Sequence, residues 1–158
     1  MILIIGYGNS LRGDDGAGLL LAERLEQAWR ARHVAVERLA VQQLMPELAW
    51  DIAQAAVEAV LFVDTRAVAP GETEPGLQIS PVESPALSPS LGHHLDPAVL
   101  LTYARLLYGK TLPAWLVTVP GVDFEHGETL SRTAQQALDM ASELSIKLLE
   151  VLCGCKIS

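Results

Sequence analysis

A chain of 158 residues, half of them hydrophobic, is long enough to bury one sizeable core without disulfide or metal staples, so a single domain over residues 1–158 is expected. Its 19 acidic against 11 basic residues give a formal charge of -8, which repels nucleic-acid phosphates and anionic lipid headgroups and argues against both as partners. The mean hydropathy of +0.28 is spread over short apolar blocks, and the opening MILIIGYGN lacks the basic segment and apolar length of an export signal, so a soluble cytoplasmic protein is expected. The two cysteines, Cys153 and Cys155, lie one residue apart, where a bridge would close a tiny loop and add little; the pattern suits a reducing compartment.

In chain order, Ile2 to Ile5 is a continuous apolar run closed by Gly6-Tyr7-Gly8, which reads as a strand buried on both faces of a parallel sheet. Past Gly18, Leu19, Leu20, Ala22, Leu25 and Ala28 recur at helical spacing against Glu23, Arg24, Glu26 and Gln27. Val34 to Leu39 reads as a weaker strand, and Pro46 suits the first turn of a helix running toward Ala56. Ala59 to Val63 is a second buried strand, ending at Asp64. Prolines and glycines from Ala69 to Pro97 predict mostly loop, with an edge strand over Leu77 to Val82. A helix follows from Pro97 to Tyr108, capped by Asp96, with proline at its first position and Gly109 at its end. Trp115 to Val119 is a strand stopped by Pro120-Gly121, and one last helix spans about Leu130 to Leu152. Alternating strands and helices predict a doubly wound, three-layer α/β domain with a mainly parallel sheet of about five strands. Ligands in such folds sit beyond the carboxyl ends of the strands, at the switch point, which directs attention to the loops after Ile5 and Val63.

The densest signal is Gly6-Tyr7-Gly8-Asn9-Ser10-Leu11-Arg12-Gly13-Asp14-Asp15-Gly16-Ala17-Gly18. It opens like a dinucleotide fingerprint but has Leu11 at the third glycine position. Asp14 and Asp15 would repel a pyrophosphate, and no acid ends the second strand. Two carboxylates near a helix N-terminus are instead stabilised as anions and attract a cation, although one of them serving only as a cap is equally expected. Asp64 on its own is as readily a turn residue as a functional one; a shared rim with Asp15 favours function. His93-His94, before the Pro97 helix, add imidazole donors suited to a borderline metal such as nickel or zinc, with one of the pair expected to be merely solvated, and His33 and His126 read as surface residues. No G-x-S-x-G elbow, HExxH helix, CxxC pair or P-loop lysine occurs, and adjacent aspartates cannot face each other as an aspartic-protease dyad does.

These residues resemble the hydrogenase maturation proteases over nearly the whole chain. GYGNSLRGDDGAG is similar to that family's G-x-G-N-x-L-x-x-D-[DE]-G-x-G opening, Val63-Asp64-Thr65 to its strand-end aspartate, and His93-His94-Leu95 to its H-x-L site. Val119-Pro120-Gly121 and Phe124 to Ser131 resemble the stretch leading into its final helix. The resemblance implies an aspartyl-type, nickel-dependent endopeptidase, monomeric and cytoplasmic, that removes a short C-terminal peptide from the nickel-loaded large-subunit precursor of a NiFe hydrogenase. It implies that Asp15, Asp64 and His93 are the catalytic and metal-binding residues, holding a nickel that the precursor carries, with His94 at the variable position. Asp15 stands where some members have glutamate, one methylene longer, and Ala40 to Gln43 replace a D-G-G-T-like stretch that some members carry, a difference expected to bear on which hydrogenase is recognised. The alternative from another class is a non-catalytic nickel- or precursor-binding maturation chaperone using the same three side chains; a nucleotide-binding domain ranks last.

Overall fold

The computed structural model describes residues 1–84 and 95–153. In chain order the elements are β1 (Ile2–Tyr7), a 3-10 turn (Gly13–Gly16), α1 (Ala17–Ala31), β2 (Val36–Val41), α2 (Leu48–Ile52), β3 (Ala59–Ala67), β4 (Gln78–Pro81), α3 (Pro97–Tyr108), β5 (Ala114–Gly121), α4 (Arg132–Leu138) and α5 (Ala141–Cys153). The five strands form one sheet in the order β2-β1-β3-β5-β4, parallel except for β4, which runs antiparallel to β5 at the edge. Side chains alternate between its two faces, so Ile2, Ile4, Leu61, Val63, Val117 and Val119 meet α1, α4 and α5, while Leu3, Ile5, Val60 and Phe62 meet α2 and α3. The result is the expected three-layer, doubly wound α/β architecture.

Several boundaries differ from expectation, each for a physical reason. The buried face of α1 is Leu21, Ala22, Leu25 and Trp29, whereas Leu20 is exposed and Leu19 and Ala28 are half-buried. Trp29 decides the phase, because its indole N–H donates to Ser145 O at 2.9 Å and seats the ring between α1 and α5. β2 starts two residues later than predicted, and the helix after Pro46 is only the short segment Leu48–Ile52.

The single C-terminal helix is two. Arg24 Nη1 of α1 donates to Leu138 O at 2.9 Å and lies 3.8 Å from Asp139, taking a carbonyl that the helical ladder needs. Met140 N then bonds Ala137 O, one residue closer than α-helical spacing, and the axis breaks there. α3 agrees with its sequence signals: Asp96 Oδ1 accepts from Val99 N at 2.8 Å, Pro97 opens the helix, and Gly109 closes it at φ +68°.

Two strands run further than expected, and this shapes the functional rim. β1 and β3 pair only as far as Gly6 with Val63, but β3 continues along β5 to the pair Ala67–Gly121. Asp64 is therefore not a strand end. It is the first residue of β3 released from β1, opposite Thr118, at the fork where the sheet order reverses. Pro120 and Gly121 likewise lie within β5 instead of stopping it.

Candidate active site

The fork between β1 and β3 is assembled by the loop that follows β1. Gly8 has φ +148°, and a Cβ there would run into the backbone carbonyl of Asp15, so only glycine lets the chain fold back over the 3-10 turn. In that fold-back Asn9 N donates to Asp15 Oδ2 at 2.7 Å, and Asn9 Oδ1 accepts from Leu11 N at 2.9 Å. Gly18, in the first turn of α1, lies against the Asp64 backbone: a Cβ would come within 2.8 Å of Asp64 C and 2.9 Å of its Cα. Gly18 N also donates to Thr65 Oγ1 at 3.0 Å. The loop's glycines thus serve close backbone approach, drawing the Asp15 turn onto β3.

The two neighbouring aspartates have different surroundings. Asp14 is fully buried and accepts from Val122 N at 2.8 Å, Asp123 N at 3.1 Å, Ser131 N at 2.7 Å and Ser131 Oγ at 2.6 Å. Burial by itself would raise its carboxyl pKa, but these donors from Ser131, Val122 and Asp123 together hold it below the ordinary carboxylate value. Neither aspartate caps α1, whose N-cap is Gly16 with no side-chain bond. Asp14 instead ties the first loop to the segment between β5 and α4. The same tie includes Gly13 N to Gly127 O and Gly127 N to Leu11 O, each at 2.7 Å. Ser131 then caps α4 by accepting from Ala134 N at 3.2 Å. The Gly127 to Ser131 stretch is therefore the mate of the glycine loop.

Asp15 and Asp64, by contrast, keep carboxylate oxygens free of such a cage. Asp64 is half-buried, and its Oδ1 accepts from Thr65 N at 2.7 Å. Its carboxyl is pushed up to about 6, first by loss of solvent and then by the nearby negative charge of Asp15, against the opposing pull of the Thr65 N–H and the Tyr7 hydroxyl. Tyr7, the last residue of β1, donates to Asp64; burial and the charges of Asp64 and Asp96 hold its phenol well above the ordinary value and therefore protonated. Tyr7 is the partner that sequence reasoning missed, although its place at the end of β1 on the same face as Ile5 was the available signal. Asp96, the N-cap of α3, is the most minor of these influences on Tyr7.

Two of the three sequence-predicted site residues, Asp15 and Asp64, are thus neighbours. His93 and His94 lie outside the described residues, and among the described residues no group of three His, Cys, Asp or Glu side chains is placed to hold a metal. His33 and His126 are exposed, as expected. Two neighbouring carboxylates, with the charge of Asp15 adding to the raised proton affinity of a partly desolvated Asp64, form a donor pair that a divalent cation would relieve. A cavity of about 410 Å³ between Pro75–Leu77 and the α4–α5 pair has Glu143 as the one acid among its described lining residues, so the chemistry is better placed at the fork.

No protein-family model and no curated protein sequence matches the chain. Solved structures do. The NiFe-hydrogenase maturation protease HycI from Thermococcus kodakarensis is 26% identical, with a TM-score of 0.62 over 96% of this chain and 92% of that one. The hydrogenase maturating endopeptidase HybD from E. coli gives 24% identity and a TM-score of 0.69 over 95% and 92%. The hydrogenase 2 maturation peptidase from a Thaumarchaeota archaeon gives 21% and 0.63 over 94% and 97%. Near-complete coverage in both directions, with acids at the β1–β3 fork, defines the class as an α/β maturation endopeptidase. In fold and over nearly its whole length the chain is similar to hydrogenase maturation proteases, in agreement with the resemblance carried by its glycine loop.

Proposed function

We propose that this protease removes a short C-terminal peptide from the nickel-loaded large-subunit precursor of a NiFe hydrogenase, and that Asp15, Asp64 and His93 engage the nickel which the precursor carries. The reading rests above all on the meeting of Asp15 and Asp64 at the β1–β3 fork, with Asp64 raised to about 6 partly by the charge of Asp15. A cation delivered by the substrate offsets that repulsion, so the free enzyme is built to receive charge at this point. His93 precedes by two residues Leu95, whose side chain packs with the β1, α2 and α3 core. Neutral imidazole and two carboxylates form a fitting set for a borderline divalent ion.

Docking the nickel fixes the adjoining scissile segment over the fork, which replaces a bimolecular encounter by an oriented one. The bound ion supplies Lewis acidity to the attacked carbonyl or the attacking water. A carboxylate oxygen of the pair that the ion leaves free takes the proton from that water. No covalent intermediate is required. Among the described residues no helix is long and apolar enough to cross a membrane. Incubation with a large-subunit precursor, with and without nickel, followed by product mass, is the test: peptide release only from the nickel-loaded form is expected. Tight nickel binding with no release from either form would replace the protease by a maturation chaperone.

A further inference from the structure

The sheet has two edges of different character. At β4 the edge strand is four residues long and ends in Pro81, which has no N–H to offer. At β2 it is six residues without proline, Val36-Glu37-Arg38-Leu39-Ala40-Val41. The ladder to β1 uses alternate residues of β2, since Ile2 N bonds Ala35 O at 3.0 Å and Gly8 N bonds Val41 O at 3.1 Å. The main-chain groups of Val36, Arg38 and Ala40 therefore face away from β1. Among the described residues no backbone or side-chain hydrogen bond reaches them. The Arg38 side chain does not shield them, because its Nε lies 3.1 Å from Glu26 of α1.

This open edge leads to the site. At its carboxyl end a cavity of about 300 Å³ is lined by Ala40, Val41 and Gln42 on one side and by Gly8, Asn9, Ser10 and Leu11 on the other. Asn9 is the residue whose N–H holds the Asp15 carboxylate. An extended peptide added to β2 would run past this cavity and arrive at the Asp15 end of the fork, its main chain satisfied by the edge and one side chain received in the cavity. Extended segments bind exposed sheet edges in this way, with main-chain bonds giving affinity and alternate side chains giving selectivity.

We propose that the β2 edge is the docking strand for the extended C-terminal segment of the peptidase's own substrate, pairing with Val36, Arg38 and Ala40, with the Ala40–Gln42 cavity as a side-chain subsite. This rests on the endopeptidase reading above. The test is Ala40→Pro, which deletes one outward N–H while leaving the β1 ladder intact, against Ala40→Gly, which retains that N–H. The substrate is a nickel-loaded NiFe-hydrogenase large-subunit precursor. The expected result is a rise of tenfold or more in KM for Ala40→Pro with kcat within twofold of the parent, and a KM within twofold for Ala40→Gly. Amide hydrogen exchange of the parent protein supplies the second readout and covers a proline variant that does not fold: precursor should slow exchange at Val36, Arg38 and Ala40 at least tenfold. Cleavage by the parent together with an unchanged KM for a folded Ala40→Pro, or with unprotected edge amides, overturns the docking strand and leaves the peptidase standing. Absence of cleavage by the parent overturns both. Concentration-dependent dimerisation of the parent that Ala40→Pro abolishes assigns the edge to a second copy of the chain and also overturns the proposal.

Discussion

Asp14 and Asp64 are both carboxylates at the carboxyl rim of one sheet, and their surroundings drive them in opposite directions. Asp14 is buried among four donated hydrogen bonds and stays ionised below the ordinary carboxylate range. Asp64 is less deeply buried, has the Thr65 N–H and the Tyr7 hydroxyl as donors, faces the charge of Asp15, and is raised to about 6. A charge fully caged by donors is a structural tie, whereas one left under-compensated next to a like charge is poised for a ligand or a proton. Asp15, next to Asp14 in sequence, falls on the under-compensated side of that division, because among the described residues only the Asn9 N–H engages its carboxylate.

The largest expected effect is on activity. Asp15→Asn keeps the shape and the acceptor for Asn9 but removes a charge from the fork, and cleavage of nickel-loaded precursor should fall by about 10²–10⁴-fold in single turnover. Full activity would remove Asp15 from the chemistry. The mirror experiment is Asp14→Ala, which orphans the backbone donors of Val122, Asp123 and Ser131 and should destabilise the protein by about 2–4 kcal/mol in urea unfolding. A loss under about 0.5 kcal/mol, within the ordinary range for surface substitutions, would deny that Asp14 is an anchor.

Gly18→Ala probes how closely α1 is pressed onto the fork. Its methyl would meet the Asp64 backbone at 2.8 Å, so a stability loss of about 1–3 kcal/mol is expected, with lowered cleavage as Asp64 is displaced. The smallest effect has the opposite sign. A folded-state pKa raised above the unfolded one means that the Asp64 contribution to stability is fully present below pH 3.8 and is lost as pH rises through about 6. At pH 7 the ionised group therefore destabilises the free protein, and Asp64→Asn should raise its stability by about 1–2 kcal/mol, discounted for partial exposure. The gain should narrow as pH falls below about 6 and close near the ordinary carboxyl value, as thermal unfolding across pH would report. Asp14 has the reverse linkage: its contribution is present above the ordinary value and is lost as pH falls through its lowered one.

What could be read from the chain alone follows from how local each signal is. The buried strands β1 and β3 and the capped helix α3 carry their signals within a few residues of where they act, and their existence was legible. The pairing of Asp15 with Asp64 was legible as two loops at one switch point. The role of Asp14 was not, because its partners Val122, Asp123 and Ser131 lie 108, 109 and 117 residues away. The division of the last helix was hidden in the same way, since Arg24 takes the Leu138 carbonyl from 114 residues upstream. The phase of α1 turned on Trp29 finding Ser145 O, and the extension of β3 past Asp64 on the continued register with β5, both tertiary facts.

The division between anchor and site is tested most directly by comparing Asp14→Asn with Asp64→Asn at a temperature low enough for both to be folded by circular dichroism. Each is incubated with nickel-loaded large-subunit precursor, and the released peptide is followed by mass. Asp14→Asn should still release the peptide while being the less stable of the two, and Asp64→Asn should release none while being the more stable. Peptide release at the parent rate by a folded Asp64→Asn would contradict a catalytic fork between β1 and β3.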